Sequence, residues 1–160
     1  MVKKIIVLFS MVLLAFSSWH CNKSNPETTC TVVPPADEEQ AILAYNTANN
    51  INGIKDESGL YYEIINPGTG GTPNLNSLIE IKYTGKLTNG TVFDSQSDPK
   101  KTGWALRSLI PGWQIAIPKI KKGGKIKMVL PSALGYGCRD NGNIPANSIL
   151  FFEVELVEFY

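Results

Sequence analysis

Ile79-Glu80-Ile81-Lys82-Tyr83-Thr84-Gly85-Lys86-Leu87-Thr88-Asn89-Gly90-Thr91-Val92-Phe93-Asp94 is the run whose reading decides the fold. Ile79, Ile81 and Tyr83 alternate with Glu80, Lys82 and Thr84, so one face of an extended chain is apolar and the other polar. Asn89-Gly90 supplies the positive φ angles of a tight turn, and Thr91-Val92-Phe93 is expected to return alongside. Upstream, Leu60-Tyr61-Tyr62-Glu63-Ile64-Ile65 reads as a strand ending at the turn Asn66-Pro67-Gly68. Downstream, Pro111 fits the first turn of a short helix that carries Trp113 and Ile117 and is limited by Pro118. Ile126, Met128 and Leu130 alternate with Lys125 and Lys127. Leu150, Phe152, Val154 and Leu156 share one face of a last strand, with Phe151, Glu153, Glu155 and Val157 on the other. The reading is α+β: a twisted antiparallel β-sheet wrapped around a short α-helix.

The N-terminal third has other chemistry. Lys3 and Lys4 precede an apolar run from Ile5 to Phe16, which reads as an export signal over residues 1–20 and is short for a membrane span. Cys21 follows directly and resembles the lipidated cysteine of bacterial lipoproteins, which places the chain in the periplasm or at the cell surface, held to a membrane by a lipid anchor. Ordinary secretion, with Cys21 left unmodified, is the competing reading. Residues 21–36 carry Pro26, Pro34 and Pro35 among polar residues, the composition of a flexible linker. Asp37-Glu38-Glu39-Gln40 opens a helical extension over 37–57, with Asp37 as the expected cap. Ala41, Ile42, Tyr45 and Ala48 recur at helical spacing, and Gly53 is the expected stop. The main domain is 58–160.

Composition narrows the function classes. With 43% hydrophobic and 18% charged residues the chain is globular rather than disordered. Loss of Lys3 and Lys4 with the signal leaves thirteen basic residues against fourteen acidic ones, a net charge of −1. Nucleic acid is therefore not an expected partner. The single histidine, His20, leaves with the signal. Without it no Ser-His or Cys-His nucleophile and no His-ligated zinc site can form, and neither a metal nor a cofactor is expected. Cys30 and Cys138 remain; in an oxidising compartment they can pair, but their spacing does not decide it. Lys119, Lys121, Lys122, Lys125 and Lys127 are read as a solvated sheet face rather than a binding patch.

Tyr83-Thr84-Gly85, Val92-Phe93-Asp94-Ser95, Ile110-Pro111-Gly112-Trp113, Gly135-Tyr136-Gly137, Ile144-Pro145 and the strand Phe152 to Leu156 follow one another in order. Residues 58–160 resemble, in the order and approximate spacing of these blocks, the FKBP-type (macrolide-binding) peptidyl-prolyl cis-trans isomerases. The export segment and linker are also similar to membrane-anchored bacterial members. The resemblance implies an apolar pocket with Trp113 as its floor and Tyr83, Leu109, Ile110, Ile144 and Phe152 as walls that bind substrate. It implies that Asp94, Tyr136 and Phe93 carry catalysis, with the Tyr136 hydroxyl and the Ile110 amide as donors to substrate carbonyls. Proline-containing polypeptide segments are the implied partners, macrolides are admitted as ligands, and no cofactor is implied. Where the family often has an arginine supporting the aspartate, this chain offers Lys100 or Lys101, and Trp104 stands in for a further pocket aromatic. The flap around Cys138-Arg139-Asp140-Asn141-Gly142-Asn143 is polar and glycine-rich, unlike the family pattern.

Taken singly, Tyr83, Phe93, Trp113 and Phe152 read as core aromatics; the set carries the functional reading. The expectation is an isomerase that assists folding of exported proteins. Its rivals are a binding module that holds a proline-containing segment without turnover, for instance in a motility-type surface lipoprotein complex, and an unrelated β-rich structural domain.

Overall fold

A computed structural model describes residues 30–160. The export segment and Cys21 lie outside the described residues. A helix α1 (Pro35–Ala48) leads into strands β1 (Ile54–Lys55), β2 (Tyr61–Asn66), β3 (Leu78–Leu87), β4 (Val92–Gln96) and β5 (Trp104–Ala105). A short helix α2 (Pro111–Ala116) follows, then β6 (Lys125–Leu130) and β7 (Leu150–Phe159). All seven strands belong to one sheet, in the order β1-β2-β6-β7-β3-β4, with β5 paired to the start of β3. Every pairing is antiparallel. The architecture is α+β.

The alternating faces do what the pattern predicts. Ile79, Ile81, Ile126, Met128, Leu130, Val154 and Leu156 are fully buried under α2, with Trp113, Ala116 and Ile117 packed on them. α2 begins with Pro111 at its first position, where the missing N–H costs nothing. Gly112 lets the helix come close: a Cβ there would stand 2.6 Å from the Leu130 methyl groups.

The opposite face is covered by α1. Ile42 and Ile51 pack on Tyr61, Val129 and Phe151 to make a second, smaller core. Glu39 pins the helix further, accepting from the Tyr61 hydroxyl at 2.6 Å and from Lys55 Nζ at 2.7 Å. Burial and this carboxylate push the Tyr61 hydroxyl up to about 12.

Five local expectations are corrected. α1 starts at Pro35, not Asp37, and has no side-chain cap of its own. Its buried stripe is Glu38, Ile42 and Asn46, whereas Ala41 and Ala48 are exposed; positions four apart share a helix face, and here long-range partners outrank hydrophobicity. The chain turns at Asn50, with φ of 53°, and not at Gly53. In the β3–β4 hairpin only Gly90 takes positive φ (89°), and the ladder slips between Gly85 and Lys86, so the turn is wider than a two-residue one. Residues 30–36, read as linker, lie on the domain: Cys30 and Cys138 form a disulfide pair with Cα atoms 5.2 Å apart.

Of the lysines read as a solvated sheet face, Lys125 and Lys127 lie on β6, whereas Lys119, Lys121 and Lys122 precede it. Lys119 pairs with Asp56 at 2.8 Å, Lys125 with Glu153 at 2.5 Å, and Lys122 with Glu158.

Candidate functional site

Between α2, the β3–β4 hairpin and the loop after β6 lies an open cavity of about 550 Å³. Its floor is Trp113, which is 4% exposed and is fixed by helix α2. Tyr83 and Phe152 meet this indole nearly edge-on, each with a centroid separation of 5.2 Å. Phe93 stands edge-on to Phe152 at 5.5 Å, and Trp104 leans on Tyr83 at 5.9 Å. Such edge-to-face packing holds aromatic rings in defined orientations. The indole N–H of Trp113 has no partner among the described residues.

Register explains why these rings converge. Tyr83 and Gly85 sit opposite Val154 and Phe152 in the β3–β7 ladder, and Gly85 sits opposite Asp94 in β3–β4. Gly85 is required by this crowding, because a Cβ would lie 2.6 Å from Phe93 and 2.7 Å from Phe152. Leu109 and Ile110 close the far wall. They are held by Gln114, whose Nε2 donates to the Leu109 carbonyl at 2.7 Å.

Polar groups gather at the lip. The Tyr83 hydroxyl donates to Asp94 Oδ2 at 2.6 Å. Burial, with this carboxylate adding to it, holds the Tyr83 hydroxyl far above the usual tyrosine range, so it stays protonated. Tyr136 reaches the cavity from the loop after β6 and remains 39% exposed. Burial and the Asp94 charge raise its pKa as well, while Asn141 opposes them. Both phenols are thus donors at neutral pH.

The structure brings together Tyr83, Phe93, Asp94, Leu109, Ile110, Trp113, Tyr136 and Phe152 around one cavity. Ile144 is a correction. It is 5% exposed in the main core and does not line the cavity. Lys100 is another: it pairs with Glu80 at 2.8 Å, and the group held against Asp94 is Tyr83. Trp104 does line the cavity. Gly103, Ala105 and Ser108 also line it and had no sequence signal: Ala105 is on the two-residue strand β5, too short to show periodicity, and Gly103 and Ser108 lie outside any strand.

Comparison with known proteins agrees with this geometry. The family profile described as FKBP-type peptidyl-prolyl cis-trans isomerase matches residues 70–157. The FKBP-type peptidyl-prolyl cis-trans isomerase FkpA of Aeromonas hydrophila is 43% identical over 107 residues, covering 66% of this chain and 40% of that protein. The chain thus spans less than half the length of this relative. The crystal structure of FkpA from Escherichia coli superposes with a TM-score of 0.67 at 33% identity, covering 78% of this chain and 60% of the other. A peptidyl-prolyl cis-trans isomerase from Pseudomonas syringae superposes with a TM-score of 0.66 at 29% identity, covering 81% and 98%. With the aromatic floor, the hydrogen-bonded lip and the matched sequence in agreement, this chain belongs to the FKBP-type peptidyl-prolyl cis-trans isomerase family.

Proposed function

We propose that the protein is a peptidyl-prolyl cis-trans isomerase that acts on proline-containing segments of other exported chains. The observation that carries this reading is the Trp113 floor ringed by Tyr83, Phe93 and Phe152, beside the Tyr83–Asp94 hydrogen bond. Rotation about an X-Pro bond faces a barrier of roughly 18–20 kcal/mol from amide resonance. In the planar ground state that resonance separates charge onto oxygen and nitrogen. At the twisted transition state the separation is lost, so an apolar cavity disfavours the planar form more than the twisted one. The proline ring packs on Trp113, and Phe93 and Asp94 border the rotating bond. The Tyr136 hydroxyl and the Ile110 amide hold flanking carbonyls, so that binding energy outside the reacting bond supports the twist. No proton is transferred in this scheme.

A protease-free cis–trans exchange assay on short X-Pro peptides, varying the residue before proline, tests the reading. Acceleration that falls on replacement of Asp94 or Tyr136 in a folded protein supports it. Saturable peptide binding with no acceleration makes the cavity a recognition site instead. A cavity of about 550 Å³ also falls in the size range of small-molecule sites, roughly 300–1,000 Å³, which supports macrolide binding as a secondary property. Competition of a macrolide with peptide turnover checks this.

The signal and Cys21 support export and lipid anchoring. Fatty-acid labelling that disappears in Cys21→Ser is the expected result; labelling-free, fully soluble protein would leave export without an anchor.

A further inference from the structure

The loop that presents Tyr136 is held from behind by a segment outside the matched residues 70–157. Ser132 is the hub of that loop. Its carbonyl accepts from Gly135 N at 3.0 Å and Gly137 N at 2.9 Å, the amides on either side of Tyr136. Its own amide donates to Glu38 Oε2 at 2.7 Å. Glu38 comes from α1, 94 residues earlier, and is 7% exposed, while Ser132 is wholly buried. Pro131, which precedes the short turn Ser132–Leu134, provides no side-chain cap, so Glu38 supplies the missing acceptor from another element.

The rest of the segment follows the same track. Cys30 is bonded to Cys138, two residues after Tyr136. Val32 Cγ2 lies 3.8 Å from the place a Gly137 Cβ would take, and Pro35 packs against Gly59, beside Pro131. On the far side, Asn147 N donates to the Gly137 carbonyl at 2.7 Å. The loop from Pro131 to Cys138 is therefore gripped at both ends by residues 30–38.

We propose that residues 30–38 form a strap that positions the Tyr136 hydroxyl over the cavity, with Glu38 as a positioning residue and Cys30–Cys138 as a second anchor. This rests on the isomerase reading for its catalytic consequence, although the strap itself is a statement about the loop. A half-exposed tyrosine on a glycine-flanked loop samples many positions unless its backbone is tied, and small misplacements of a substrate-holding group cost rate. Glu38 is buried because its acceptor is needed at Ser132.

A double-mutant cycle on the purified protein tests it. Tyr136→Phe lowers kcat/KM, and Glu38→Ala lowers it by about tenfold, the usual scale for a hydrogen bond to a carboxylate. Glu38→Gln, which keeps an oxygen acceptor, restores most of the activity. Glu38→Ala added to Tyr136→Phe causes no further loss. The Cys30→Ser, Cys138→Ser double variant falls in the same direction and is likewise silent when Tyr136 is Phe. Equal losses in both Tyr136 backgrounds, or no loss from Glu38→Ala, overturn the strap. Amide hydrogen exchange is read in parallel. Glu38→Ala is expected to speed exchange in residues 132–138 by about tenfold while β6 and β7 keep their protection. Faster exchange spread through β6 and β7 means that Glu38 merely holds the fold, and overturns the proposal. If the unaltered protein accelerates no X-Pro peptide, the isomerase reading fails by itself, and the exchange pattern still decides the strap.

Discussion

Phe151 and Phe152 are neighbours on β7, and they end up in different kinds of surface. Phe152 points under the sheet to Trp113 and Phe93, where the aromatic cluster stays open to solvent on one side. Phe151 points to the other face and is closed over by α1, with the Tyr45 ring 5.8 Å away. Both faces of a strand can be apolar for opposite reasons. One patch is completed by the chain's own helix, while the other is left incomplete as the wall of an open cavity, which the isomerase reading fills with a substrate proline.

That contrast can be broken or sharpened by experiment. The largest effect is expected on the closed face: Phe151→Ala should cost about 3 kcal/mol through the cavity left under α1. Thermal melting should fall by roughly 10 °C, with kcat/KM of the folded protein kept within a few-fold. A collapse of activity with unchanged melting would reverse the roles of the two faces. Gly85→Ala comes next. Its new methyl would press on Phe93 and Phe152 together, which should cost about 2 kcal/mol and weaken X-Pro peptide binding, read by titration alongside denaturation. Unchanged binding would show that the two rings can shift freely.

On the open face, Asp94→Ala should lower kcat/KM about tenfold, equivalent to ~1.4 kcal/mol, and barely move the melting temperature, since Asp94 is exposed. The paired result to look for is Tyr83→Phe, which removes the same hydrogen bond from the other side. Full activity in both would exclude the lip from the reaction.

The smallest effect lies away from both faces. The Lys119 ammonium beside Asp56, assisted by Ser58, brings its carboxyl down to about 2. A folded-state pKa below the unfolded one means stability that is present above about pH 4. That stability is lost as pH falls towards 2. After allowance for solvent screening of a partly exposed pair, the contribution is about 1 kcal/mol. Acid unfolding of Lys119→Ala should be correspondingly flatter between pH 4 and 2, and an unchanged acid limb would remove the pair from the stability account.

Much of the open face was legible because its signals are local. Alternation in β3, β6 and β7 assigns faces residue by residue, and Pro111 marks the start of α2 two positions before Trp113. Sequence order alone could not separate wall from core. Ile144 reads as a pocket residue but packs in the main core away from the cavity lining, whereas Trp104, opposite Ile79 on a two-residue strand, lines the cavity. Burial depends on what the rest of the chain lays over a residue.

The amino-acid sequence by itself determined the strand periodicity, the aromatic set and the ordered blocks of an FKBP-type domain, since these depend on neighbours a few residues apart. The tertiary structure alone decided that α1 seals the Phe151 face, that Glu38 occupies a buried helix position, and that Cys30 meets Cys138. Those contacts join groups about a hundred residues apart in the chain. No local pattern encodes them: a buried carboxylate needs a hydrogen-bond partner, and the partner of Glu38 is a backbone amide from a distant element.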